Sequence, residues 1–169
     1  MENNASLPIS PFAFGLAWVA LLPACQNPDD IIHAARFGDL EKLIDCIESG
    51  VPVDHADPAG ETPLFHVIGA GSEEAFRLLL ENDANTRLRD NLGNTTLHKA
   101  VTFGRREFAF ELIERGLDIN ATNKVGATAL HYAVRSGSLG MVDFLVEKGA
   151  EVEVQDADGN SPAEVAQAM

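Results

Sequence analysis

Glycine recurs at Gly60, Gly93, Gly126 and Gly159, with 33 residues between each pair of neighbours. A fixed period of that length restricts a chain to architectures built from stacked copies of one small unit. Other columns keep the same register. Thr62, Thr95, Thr128 and Ser161 follow the glycines by two residues, and Leu64, Leu97 and Leu130 follow by four. Small or β-branched residues recur at Ala34, Val67, Ala100, Ala133 and Ala166. Further columns read Gly38, Gly71, Gly104, Gly137 and Gly50, Asp83, Gly116, Gly149.

Each unit opens on a turn whose glycine supplies the positive φ that other residues resist. Thr62, Thr95, Thr128 and Ser161 suit the helix N-cap, and Pro63 and Pro162 suit the first helical position. Ser161 with Glu164 makes a capping-box pattern. First helices are expected over about 29–37, 62–70, 95–103, 128–136 and 161–168, and second helices over about 40–49, 73–82, 106–115 and 139–148. No unit buries its apolar face alone, so stability comes from contacts between neighbours.

The tokens Thr62-Pro63-Leu64, Thr95-Thr96-Leu97-His98-Lys99-Ala100 and Thr128-Ala129-Leu130-His131-Tyr132-Ala133, with the turns that precede them, resemble the ankyrin-repeat family. The resemblance runs from about residue 28 to the C-terminus. Phe65 stands where the family usually has His, Thr96 and Ala129 replace Pro, and Asp83 replaces Gly. The implied fold is an all-α ankyrin-repeat solenoid of four helix-pair repeats plus a C-terminal half-repeat. Its units would be about 27–59, 60–92, 93–125, 126–158 and 159–169, within a domain over 26–169.

A net charge of −14 argues against nucleic-acid binding, which needs a basic stripe to neutralise phosphates. Residues 29–61 carry −7, residues 62–142 carry zero and residues 143–169 carry −6. Acidic ends keep the stacking faces of a solenoid soluble, and the same field would steer a basic partner. Two cysteines do not make a disulfide-framework fold. Cys46 shares the column of Leu79, Leu112 and Leu145 and reads as an apolar core residue.

Residues 1–25 contain no Lys or Arg and stand outside the 33-residue register. The apolar stretch 12–22 is too short to span a membrane, which takes about 20 residues, but suits the core of a signal peptide. Its end, Leu22-Pro23-Ala24-Cys25, resembles the bacterial lipoprotein signal, which implies lipidation at Cys25 and, from Gln26, anchorage to the outer membrane in the periplasm. The positive n-region is missing and Pro23 is unusual in that box. The alternative is an apolar extension packed on the first repeat of a cytoplasmic protein.

Catalytic and metal motifs are not found. His98 and His131 occupy the periodic Thr-x-x-His position as structural hydrogen-bonding groups, and no His pair has zinc-like spacing with Cys or carboxylate partners. Neither a P-loop nor a nucleophile-elbow pattern occurs. The expectation is a monomeric, non-enzymatic protein-binding module without cofactor or metal.

By resemblance, partners dock on a concave face made of turn tips and first helices. Register selects Asn91, Leu92, Lys124 and Val125 on the tips, and Arg36, Phe37, Thr102, Phe103 and Arg135 at the helix ends. Aromatic and arginine side chains dominate interface hot spots, and apolar residues on turn tips are not required by the fold. Two other readings stay open: an immunity or inhibitor protein that neutralises a secreted toxin or hydrolase, and a structural or stress-related envelope component.

Overall fold

The computed structural model describes Cys25 and residues 27–168; the apolar stretch 12–22 lies outside them. The described residues form nine helices in two rows. The inner row is α1 (Asp29–Phe37), α3 (Pro63–Ala70), α5 (Thr96–Thr102), α7 (Ala129–Arg135) and α9 (Pro162–Gln167). The outer row is α2 (Leu40–Glu48), α4 (Glu73–Glu81), α6 (Arg106–Glu114) and α8 (Leu139–Glu147). Each inner helix pairs with the outer helix that follows it, giving four helix pairs and a closing single helix. The only β-type pairing among the described residues is an isolated bridge between Arg89 and Thr95.

The inner helices approach closely because Ala34, Val67, Ala100 and Ala133 face their neighbours with small or compact side chains, all fully buried. Leu64, Leu97 and Leu130 fill the layers between them. Leu79, Leu112 and Leu145 do the same for the outer row. Contacts between successive outer helices are sparser than between inner ones, so the row is tighter on the inside than on the outside. Burying one such Leu stabilises by about 2 kcal/mol, so the repeated layers carry the stack.

The register extends to covalent structure. Cys46 lies in the leucine column and is fully buried, as expected, yet it also forms a disulfide with Cys25, across a Cα–Cα separation of 5.0 Å. The sequence reading of Cys46 as an apolar core residue alone was therefore incomplete. Cys25 stands outside the repeat, so no column paired it with anything.

Turn tips stack as regularly as helices. The oxygen Oδ1 of Asp57, Asp90, Asn123 and Asp156 accepts backbone N–H bonds from the residues two and four positions on, at 2.8–3.1 Å. Each tip then joins the previous one through a backbone bond: Asn91 N to Ala59 O at 2.9 Å, Lys124 N to Leu92 O at 3.0 Å, and Ala157 N to Val125 O at 2.9 Å. Gly93 shows why the tip needs glycine. Its φ is +79°, and a Cβ there would lie 3.0 Å from the Lys124 backbone nitrogen.

His98 and His131 tie each turn to the next. The Thr95 N–H donates to His98 Nδ1 at 3.2 Å, so Nε2 carries the proton and donates to Ala127 O at 3.0 Å. His131 repeats this with the Thr128 N–H and Asn160 O. Phe65 breaks the pattern in the second repeat, and the buried Thr62 hydroxyl is left without a partner. Replacing Thr95 by Val is expected to lower unfolding stability by about 1–2 kcal/mol. The same change at Thr62, which caps nothing, should cost well under half as much; urea titration of both variants reads the difference.

Asp83 takes the place of a column glycine with φ of +62°, a left-handed conformation. Gly50, Gly116 and Gly149 hold the same position at φ of +81°, +81° and +94°. Asp83→Gly is expected to raise stability by about 0.5–1 kcal/mol, because relief of left-handed strain outweighs the added backbone entropy of the unfolded chain. An unchanged or lowered urea midpoint would contradict this.

Candidate functional site

The inner wall is made by the inner helices and turn tips. The four outer helices each carry a net charge of −2, whereas the five inner helices sum to zero. The acidic excess read along the chain as acidic ends is thus also carried by the outer helices. The inner helices are neutral, while the turn tips beside them are acidic in the first and last repeats.

Several residues selected by register hold the tips together. Arg36 pairs with Asp57 at 3.6 Å, and Arg135 pairs with the nearly buried Asp156 at 2.6 Å. The carboxyl of Asp156 lies below its ordinary range, chiefly because the Asn160 N–H bonds it, with the Asp158 N–H and Arg135 adding to the effect. The Asn91 amide donates to Pro58 O at 2.8 Å, and Lys124 Nζ donates to Asn91 O at 2.7 Å. Thr102 bonds its own helix at His98 O. Arginines 36 and 135 are therefore engaged within the fold and are not free guanidinium groups.

The apolar members of that set behave differently. Leu92, on a turn tip, is 67% exposed, and Phe103, which caps the C-terminal end of α5, is 47% exposed. They border a depression of about 260 Å³ between the second, third and fourth repeats, with Glu61, Lys99, Thr102 and Tyr132 completing its rim. Phe103 lies across Gly69: a Cβ on that glycine would stand 3.8 Å from Cζ of the ring. Lys99 Nζ sits 5.3 Å from the centre of the Phe103 ring and also pairs with Glu61 at 2.5 Å. The Tyr132 hydroxyl donates to Asn94 Oδ1 at 3.1 Å, and its ring meets His98 edge-on at 5.5 Å. Phe37 and Val125 are exposed but are not among the residues around this depression.

Asp57, Glu61 and His66 bring ligand-type atoms within 4.8 Å of one another. The arrangement does not fit a cation. His66 uses one nitrogen toward each carboxylate, Nε2 to Asp57 at 3.0 Å and Nδ1 to Glu61 at 3.6 Å. Arg36 and Lys99 already balance the two acids, so an incoming ion would have to displace both. The cluster is a polar bridge across the inner wall. Sequence reasoning passed over it because His66 lies one residue beyond the family's histidine position.

Burial pushes the His66 imidazole below its ordinary pKa, against the opposing pull of Glu61 and Asp57. Burial does the same to His98, opposed by its bond to Ala127 O. For Asp57, burial works upward but is outweighed by the N–H groups of Glu61 and Ala59 and by His66, leaving the carboxyl lowered.

A family model described as ankyrin repeats in three copies matches residues 31–123. A second, described as ankyrin repeats in many copies, matches residues 112–166. A stretch of 56 residues is 43% identical to Acyl-CoA-binding domain-containing protein 1 of Arabidopsis thaliana, covering 32% of this chain and 17% of that protein. A stretch of 57 residues is 40% identical to Acyl-CoA-binding domain-containing protein 2 of the same plant, covering 33% and 16%. The likeness thus spans about a sixth of the length of each relative.

The lowered imidazoles set a pH dependence. Unfolded histidines take up protons as pH falls through 6.5, while folded His66 and His98 resist until lower pH. Their contribution to stability is complete above pH 6.5 and is lost below it as pH approaches their folded values; Asp57 contributes similarly from 3.8 downward. The urea midpoint is expected to fall between pH 7 and pH 5. The double variant His66→Gln, His98→Gln should start lower but show a flatter slope across that interval.

Proposed function

Because this chain belongs to the ankyrin-repeat family, we propose that it is a protein-binding module whose partner docks on the inner wall, at the depression between Leu92 and Phe103. Ankyrin repeats generally mediate protein–protein interaction, and the family is typically non-enzymatic. The observation that carries the finer reading is the exposure of Leu92 and Phe103 on one depression whose polar rim is internally bonded, Lys99 to Glu61, Thr102 to His98 and Tyr132 to Asn94. Apolar anchors beside a satisfied polar rim are the composition of an interface hot spot. The surrounding acidic charge would speed encounter with a basic partner. The acyl-CoA binding named in the two plant relatives is not carried over, since the shared stretch is a small fraction of those proteins.

The proposed setting is the periplasm of a bacterial envelope. Two features support it: the apolar stretch 12–22, which has the length of a signal-peptide core, and a disulfide, a bond that persists in oxidising compartments. No helix among the described residues is long and apolar enough to cross a membrane.

A photo-crosslinking residue placed at position 92 should capture a discrete protein in intact cells, and one at the outward-facing Phe110 should not. With that protein purified, Leu92→Ala combined with Phe103→Ala is expected to weaken binding by roughly 100-fold without lowering Tm. Equal capture from both faces, or unchanged affinity in the double variant, would reject the inner-wall assignment.

A further inference from the structure

We propose that Cys25 is consumed by its disulfide with Cys46, that this bond is the covalent N-terminal cap of the solenoid, and that it excludes lipid attachment at the same sulfur. The end units of a solenoid have a neighbour on one side only and need a cap. At the C-terminal end α9 fills that role, with Glu164, Ala166 and Gln167 exposed. At the N-terminal end, Cys25 is 5% exposed and packs in one core with Ile31, Leu43 and Cys46. Its partner sits in a column that is leucine in every other repeat, so the cysteine at 46 gives up apolar volume at a fully buried position. A Cα–Cα separation of 5.0 Å lies within the range that a disulfide bridges without backbone movement.

The chemistry is exclusive. Each sulfur forms two bonds, so one bonded to Cβ and to a second sulfur has none left for a thioether. In forming the bridge, one cysteine thiolate attacks the disulfide of a thiol–disulfide oxidant, and the other then displaces that oxidant from the mixed disulfide. Two protons and two electrons leave the chain, and the oxidant departs as a dithiol. The bridge closes a loop across a sequence separation of 21, which removes freedom from the unfolded first repeat. The bridge lies at the first repeat and does not depend on where a partner docks.

The test uses the full chain, residues 1–24 included, expressed in a bacterial host and recovered from the envelope without reductant. Wild type is expected to have a mass two hydrogens below the dithiol form, no acyl adduct on Cys25, and no reaction with maleimide until reduced. Reduction should lower amide-exchange protection in α1 and α2 on the order of 100-fold and leave α5 to α8 nearly unchanged. Cys46→Leu, which restores the leucine column, should show no response to reductant. An acyl thioether on Cys25, two free thiols in the isolated protein, or unaltered protection of α1 and α2 after reduction would overturn the proposal.

Discussion

The close approach of the inner helices is the constraint on which the rest of this structure depends. Ala34, Val67, Ala100 and Ala133 let successive helices sit near enough for turn tips to bond across the repeat boundary. That proximity places each tip N–H on the preceding tip carbonyl, and each bridging histidine on the next turn. A large side chain in the alanine column would push repeats apart and break hydrogen bonds at the tips, some distance from the substitution. Packing and hydrogen bonding are therefore one cooperative system here, with stability shared between nearest neighbours.

The same economy governs the polar surface. The column containing Asp57, Asp90, Asn123 and Asp156 uses one side-chain oxygen identically in every repeat, to hold the turn. What differs is the second side-chain atom. Asp57 turns it to His66 and Arg36, Asp156 to Arg135, Asp90 to the Asn94 amide, and Asn123 points its amide at Asn94 and Tyr132. An exposed arginine at a register position that suits a partner can thus be fully explained by the turn it supports.

Much of the fold was legible because a period of 33 residues repeats every local decision several times. Caps, turn glycines and buried leucines could each be checked against their copies. The site was less legible, because a single exposed side chain has no copies to compare. Arg36 and Arg135 read as contact residues by type, yet each has an aspartate 21 residues on, in Asp57 and Asp156. That recurring separation was present in the sequence and pointed to a structural pair. The Cys25–Cys46 bond had no such signal, since one partner lies outside the repeat and the other is disguised as a core residue. In the sequence Asp83 reads only as a replacement for Gly in its column, and the structure adds that it keeps the left-handed conformation of the glycines there.

The depression beside Phe103 follows from where the arginine column lapses. Arg36 and Arg135 occupy the last turn of the first and fourth inner helices and reach across to their aspartates. In the two repeats between, the equivalent positions are Gly69 and Thr102, neither of which can span that gap. The Phe103 ring moves over Gly69 instead, and Asp90 finds its partner in its own turn. Between the Arg36–Asp57 and Arg135–Asp156 pairs at the ends, the middle of the wall carries the Lys99–Glu61 pair and leaves Leu92 and Phe103 exposed beside it. An arginine at position 69 would have Asp90 at the paired position and fill the same space a partner would occupy, whereas at position 102 the paired position holds the uncharged Asn123. Stack integrity and surface availability are in this way set by different columns of one repeat, so the binding face can vary while the fold does not.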